Sequence, residues 1–274
     1  MNVEKRSLNS RKTRNSAQKG SDRMQKNERL NEILLILNSC QYVTVEFLSR
    51  ELHISASSIR RDLALLENRG LVKRSYGGVE LMTSGNRVIP FSMRSHENPL
   101  EKKRIARRAA SLVNEGDVLY LDGSTSSYYM IDYLAAIKNI TVATNSIDSI
   151  CQLAQYDIRA FCTGGHVSRE NKAVLTGGFA EHLIGNLHAD YAFFSAQAIG
   201  TDGNIYDCYE SEVPLRKSML KNAGKRVLLS DGSKFNNTSV FLIENICHID
   251  YVITNIPLDR EFTDKFPNAQ FVIA

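Results

Sequence analysis

Two groups of residues have types and spacing that could do chemistry. The first is the run Ser55-Ala56-Ser57-Ser58-Ile59-Arg60-Arg61-Asp62-Leu63. Read as a helix, it turns Ile59, Leu63 and Leu66 inward and leaves Ser57, Ser58 and Arg61 facing outward near its start. Ser55 is a good N-cap there. A helix N-terminus offers free N–H groups and partial positive charge to a phosphate. An arginine in a major groove can hold a guanine with two hydrogen bonds. Lys73, Arg74 and Tyr76 follow in a Gly77-Gly78 hairpin, placed to touch a sugar-phosphate backbone and fix position rather than sequence. Candidate nucleic-acid contacts are therefore Ser55, Ser57, Ser58, Arg60, Arg61, Lys73, Arg74 and Tyr76. A plain amphipathic helix with a solvated basic face would carry the same arginine pair.

The second group is a set of polar turns that follow apolar runs. Asp122-Gly123-Ser124-Thr125-Ser126 offers a glycine for close backbone approach and hydroxyls for an anion. Thr144-Asn145-Ser146 and Thr163-Gly164-Gly165 are two more such turns, and Asp231-Gly232-Ser233-Lys234-Phe235 adds a lysine. Glu212 stands at the start of a later helix, where it could bind a ligand or simply favour the helix dipole. Any one of these turns could equally be a structural strand ending.

The elements that must position these residues divide the chain. Residues 1–25 are rich in Ser, Asn, Lys and Arg and are expected to be a disordered basic arm. They form a solvated tail, an arm that touches phosphates, or a stretch upstream of a translation start at Met24. Residues 26–82 read as three helices and a hairpin, a winged helix-turn-helix. Leu30, Ile33, Leu34 and Leu37 give the first helix its face, Thr44 caps the second, and Ser55 begins the third. Residues 83–99 read as a linker. A helix over about 100–114 then opens a domain in which apolar runs alternate with helix-like segments to residue 274. The runs are Val118–Leu121, Ile140–Ala143, Arg159–Cys162, Tyr191–Phe194, Arg226–Leu229, Tyr251–Ile253 and Phe271–Ile273. Runs apolar on both faces, alternating with helices, predict an α/β fold with a mostly parallel, Rossmann-like sheet. Ligands of such sheets sit at the carboxyl ends of the strands, where the polar turns lie.

Composition narrows the classes. The charged fraction of 23% and hydrophobic fraction of 43% are those of a soluble globular protein. No apolar run approaches the roughly 18 residues of a membrane span. Five scattered cysteines without a CxxC pair argue against a disulfide framework or a cysteine zinc site, and fit a reduced cytoplasm. The six histidines lack ligand spacing, so neither metal nor cofactor is expected. Residues 1–82 hold 15 Lys/Arg against 9 Asp/Glu, and residues 83–274 hold 19 against 21. A basic head on a slightly acidic body suits a polyanion-binding unit joined to one with another task.

The ordered motifs resemble the DeoR family of bacterial regulators. That family's head carries a signature close to S-x-x-T-I-R-R-D-L followed by L-x-x-x-G-x-x-x-R-x-x-G-G. Here Ser55 to Leu63, then Leu66, Gly70, Arg74 and Gly77-Gly78 match it, with Ser58 where threonine is usual. The family's second domain is matched by Glu101-Lys102 with Ile105-Ala106, Asp122 to Ser126, Thr144 to Ser146, Gly164-Gly165, Glu212 and Asp231 to Phe235. Ser195-Ala196-Gln197-Ala198-Ile199 lacks a glycine usual after that strand, and Glu212-Val213-Pro214 departs from the usual Glu-Ala.

The resemblance implies a regulator, a repressor of a carbohydrate-utilisation operon, with no catalytic residues. It implies a homo-oligomer that binds double-stranded operator DNA and a sensor domain like ribose-5-phosphate isomerase that binds a phosphorylated sugar. Lys102, Asp122, Gly123, Ser124, Thr125, Ser126, Thr144, Asn145, Ser146, Gly164, Gly165, Glu212 and Lys234 are the effector-site candidates. The alternative is a sugar-phosphate isomerase or deaminase with a DNA-binding head, for which Glu212, Asp207 or Asp122 would be the general base.

Overall fold

The computed structural model describes residues 29–274 except 31, 35, 38–41, 69–70, 76–77, 82–90 and 96. The expected arm, Tyr76 and the Gly70 and Gly77 turns lie outside the described residues. The chain divides into two compact units, one up to residue 87 and one from 88 onward.

The first unit begins with a helix, α1, helical at 29–30, 32–34 and 36–37. Leu30, Ile33, Leu34 and Leu37 are buried on its inner face. A strand, β1 (Tyr42–Thr44), follows, then α2 (Val45–Glu51), α3 (Ala56–Asn68), β2 (Val72–Ser75) and β3 (Gly78–Leu81). Thr44 caps α2 by accepting from the Phe47 amide at 3.1 Å. Ile59, Leu63 and Leu66 of α3 are fully buried. The sequence reading lacks β1, which turns the expected hairpin into a three-stranded antiparallel sheet of order β1-β3-β2. Three residues are too short a run for periodicity to reveal.

The second unit opens with α4 (Phe91–Arg94) and α5 (Pro99–Ala110). Its sheet takes strands β4 (Val118–Leu121), β5 (Thr141–Thr144) and β6 (Arg159–Cys162), with α6 (Thr125–Tyr128), α7 (Ile131–Leu134) and α8 (Ile147–Gln155) between them. A small hairpin, β7 (His166–Val167) and β8 (Leu175–Thr176), precedes α9 (Gly178–Gly185) and β9 (Ala189–Phe194). Next come β10 (Ala198–Ile199), β11 (Asn204–Asp207), α10 (Val213–Lys221), β12 (Ala223–Leu229) and β13 (Phe241–Asn245). The chain ends with β14 (Tyr251–Thr254), α11 (Arg260–Thr263) and β15 (Gln270–Ile273).

All seven apolar runs become strands of one seven-stranded sheet, ordered β15-β14-β12-β9-β4-β5-β6 and parallel at every pairing. Both of its faces are covered. Ile105, Ala109, Leu119, Leu121 and Leu153 pack on one side, and Tyr120, Phe194, Leu215, Met219 and Leu228 on the other. A separate antiparallel sheet, β10-β11-β13, has no counterpart in the sequence reading. Part of the expected linker is structured, since α4 belongs to the second unit. Among the described residues, no helix is long and apolar enough to cross a membrane.

Candidate functional site

In the first unit the outward side of α3 carries a small polar cluster. The Ser55 hydroxyl accepts from the Ser58 amide at 3.3 Å and lies 3.1 Å from the Ser57 hydroxyl. Arg61 is exposed, with its Nε 3.4 Å from the Ser57 carbonyl. Arg60 is exposed as well and lies 3.7 Å from Glu46 of α2. Asp62, which closes the Arg-Arg-Asp run, points the other way. It is 1% exposed and takes two hydrogen bonds from Arg29, the shorter 2.5 Å, so it fastens α3 to α1.

Of the hairpin residues, Lys73 extends from β2 with a loose 3.8 Å approach to Glu80. Arg74 is engaged by Glu67, which accepts from its amide at 3.1 Å and from its Nε at 2.6 Å. These bonds hold the Glu67 carboxyl below its ordinary pKa.

In the second unit, a cleft of about 430 Å³, a volume that includes open solvent at its mouth, lies at the carboxyl ends of the central strands. Lys102 of α5, Ser124, Thr125 and Ser126 after β4, Lys234 after β12, and Arg94 of α4 line it. Ser195, Ala196 and Gln197 after β9 complete the wall with Asp207, Tyr209, Arg216 and Asp231. Local hydrogen bonding explains the placement. Ser124 caps α6 through the Ser127 amide, while the Ser127 hydroxyl donates to Asp122 at 2.7 Å. Asp231 accepts from the Ser233 amide and from Asn98, at 3.1 and 3.3 Å, which sets the turn bearing Lys234 beside the start of α5.

Lys102 is 5% exposed, and among the described residues no carboxylate is within ion-pairing distance of it. Its Nζ donates to the Arg94 carbonyl. Burial, with the Lys234 ammonium second, lowers its pKa to about 8.

Beside the cleft lies a buried charge cluster. Arg216 places Nε 3.2 Å from Asp122, one terminal nitrogen 2.6 Å from Asp207 and the other 3.1 Å from Glu212. Burial alone would lower the Arg216 pKa, but the three carboxylates outweigh it and push it up. One guanidinium does not balance three carboxylates. Accordingly burial, against the pull of Arg216, raises Glu212 to about 6.

The other candidate turns do not line this cleft. Thr144, Asn145 and Ser146 are buried. There Thr144 accepts from the Ser146 amide, Ser146 caps α8, and Asn145 donates to the Leu175 carbonyl at 3.2 Å. Gly164 and Gly165 are exposed with positive φ, and a Cβ on Gly165 would come within 2.4 Å of the Thr176 carbonyl oxygen. Gly123 lies under Val174 rather than on the wall, and Glu212 bonds Asn171 at 2.8 Å as well as Arg216. Arg94 and Arg216, which are not among the candidates read from the sequence, are on the wall. Arg94 sits in the stretch read as a linker. Arg216 sits in the helix that follows Glu212, where a charged side chain gives no sign of burial.

Residues 29–85 match the DeoR-like helix-turn-helix domain, and residues 97–256 match the DeoR C terminal sensor domain. The chain belongs to the DeoR family. It is a DNA-binding transcriptional regulator. Among its relatives, the L-fucose operon activator of Haemophilus influenzae is 32% identical over 85% of this chain and 90% of its own length. The HTH-type transcriptional repressor GlcR of Bacillus subtilis is 30% identical over 90% of this chain and 92% of its own. A solved structure of ribose 5-phosphate isomerase A from Methanocaldococcus jannaschii is 19% identical, with a TM-score of 0.38 over 51% of this chain and 55% of its own.

Proposed function

We propose that this DeoR-family chain is a repressor of a carbohydrate-utilisation operon whose grip on operator DNA is changed by a phosphorylated sugar held in the cleft. One observation carries the ligand chemistry. Lys102 is a buried ammonium with no carboxylate at ion-pairing distance among the described residues, facing Lys234 and the Ser124–Ser126 hydroxyls on one wall. The Lys234 ammonium disfavours the charged form of Lys102, and a dianion placed between the two relieves that repulsion. The polar side chains farther along the wall, Gln197 and Asp207 among them, suit the hydroxyls of a sugar.

On the DNA side, Ser57, Ser58 and Arg61 are the base-reading candidates of α3, with Lys73 on the flanking backbone. Arg60 and Arg74, each beside a carboxylate, contribute less. The protein works as a homo-oligomer in the cytoplasm, its paired heads reading half-sites about one helical turn, or a multiple of it, apart. Repression or activation follows from where the operator lies relative to its promoter.

Binding without turnover is supported by the state of the acidic groups. Asp122, Asp207 and Glu212, the candidate general bases, are all bound to Arg216. Burial pushes the neighbouring Cys208 thiol up to about 12, so it supplies no nucleophile.

Operator DNA titrated at fixed salt, with and without a panel of sugar phosphates, tests the reading. A coupling of about 1–3 kcal/mol would change operator affinity roughly 5- to 150-fold. No change across the panel overturns the sensor role, and interconversion of any sugar phosphate by the pure protein overturns the non-enzymatic one.

A further inference from the structure

Glu67 stands in the last turn of α3, the helix whose outer side carries the base-reading candidates. A carboxylate is doubly out of place there. It meets the negative end of the helix dipole, and it repels the polyanion that this unit binds. Its partners show what it does in return. The strand β2 is at the edge of its sheet and pairs with β3. Leu71 and Val72 bury the base of this wing, whereas Lys73, Arg74 and Ser75 are exposed. Glu67 reaches the exposed part with both of its oxygens. One accepts from the Arg74 amide at 3.1 Å and the other from the Arg74 Nε at 2.6 Å. The bond to the amide matters most, because it fixes where the strand itself lies. That same bond is the first cause of the lowered Glu67 pKa, so the acceptor is ionised. Bonds to an ionised acceptor are roughly twice as strong as neutral ones.

We propose that Glu67 is a positioning residue for DNA binding, propping β2 against α3 so that Lys73 is held toward the duplex backbone. This rests on the reading of Lys73 as a phosphate contact. Lys73 is next to Arg74 in β2, and its own approach to Glu80 is loose, at 3.8 Å. An exposed ion pair adds little to stability, so the prop acts on binding and hardly on unfolding. Without it, the exposed half of β2 must be ordered when DNA arrives, and that cost is subtracted from affinity. The repulsion lost with the carboxylate works the other way, but salt screens it.

Operator titrations of the full chain at physiological salt test the prop, using Glu67→Ala, Lys73→Ala and the double variant. Alanine is a good helix former, so α3 persists and thermal unfolding should be unchanged. Glu67→Ala should lower operator affinity by about three- to tenfold, the cost of ordering one such segment, although it removes a negative charge. In the Lys73→Ala background the same substitution should bring no such loss. Unchanged or raised affinity in Glu67→Ala overturns the prop, because electrostatics alone predicts a rise. An equal loss in both backgrounds overturns it too, since Glu67 would then act other than through Lys73. If Lys73→Ala binds as tightly as the unsubstituted chain, the reading of Lys73 fails, and the prop with it.

Discussion

Arg216 lies 3.2 Å from Asp122, joining α10 to the turn after β4 from beneath the cleft. Both side chains are almost fully buried, at 5% and 2% exposure. Asp122 also accepts from the Ser124 amide, the Ser127 hydroxyl and the Ser195 amide, so two turns of the cleft wall are built on this one carboxylate. The pair therefore shapes the site without being a free ligand-binding group.

Removing Arg216 should leave Asp122, Asp207 and Glu212 buried without their cation. Breaking a buried pair from one side costs about 3–5 kcal/mol. Arg216→Met should lower the stability of the second unit by that order, measured as the shift in its urea midpoint at constant slope. A loss below about 1 kcal/mol would mean the carboxylates find water or protons at little cost.

Lys102 makes ligand binding depend on pH. Its pKa in the unliganded protein is about 8, lowered first by burial and then by Lys234. A bound phosphate favours the charged lysine and raises that pKa, so binding takes up a proton near pH 8. Affinity is then full below about pH 8 and falls as pH rises through it, by at most about tenfold per unit for one proton. Phosphate monoesters are already dianions across this window. Titration calorimetry at pH 7, 8 and 9 should show the fall, and Lys102→Arg should abolish it, because arginine stays charged. A flat profile in the unsubstituted protein would remove Lys102 from the anion site.

Much of this arrangement is legible in the sequence, and the remainder is hidden for physical reasons. The central parallel strands announce themselves because both faces are buried, which leaves continuous apolar runs such as Tyr191–Phe194, whereas the edge strands β6 and β15 hold no buried residue and are read from their apolar types alone. The strands β10, β11 and β13 are short and antiparallel, and in β13 only Ile243 of five residues is buried. That pattern reads as loop. Lys234 and Ser124–Ser126 are found because polar turns after parallel strands converge on one edge of a sheet, whereas Lys102, within α5, is a candidate only through the family resemblance. Thr144–Ser146 obeys the same rule, yet Ser146 is engaged in capping α8 and the Asn145 amide nitrogen in holding the Leu175 carbonyl, while the Asn145 Oδ1 is buried without a hydrogen-bond partner among the described residues. Sequence type tells what a side chain can bond, whereas the partner that arrives first is set by tertiary packing.

The DNA-binding unit offers a contrast between two basic residues. Arg61 is exposed on α3 and Lys73 is exposed on β2. Arg61→Ala should cost roughly 1–3 kcal/mol of operator affinity and relax sequence preference. Lys73→Ala should weaken all sequences alike and flatten the salt dependence by about one unit. Competition binding at several salt concentrations separates the two. Unchanged affinity and preference in Arg61→Ala would place the reading face of α3 elsewhere.

Gly123 provides a test of the packing around the Thr144–Ser146 turn. A Cβ added to it would fall 2.2 Å from Val174 Cγ1, inside any real contact distance. Val174 is fully buried, and its segment is held on both sides. Leu175 exchanges hydrogen bonds with Asn145, and Asn171 donates to Glu212. The clash has no flexible end to absorb it. Gly123→Ala should therefore destabilise the second unit by about 1–3 kcal/mol, the usual cost of overpacking. Val174→Ala alone should also destabilise it, by leaving a cavity. The two together should recover part of the loss, because a methyl removed from Val174 is the one the new Cβ meets. Denaturant unfolding of the two single variants and the double variant measures the coupling. If the losses simply add, Gly123 is needed at this turn for something other than room for Val174.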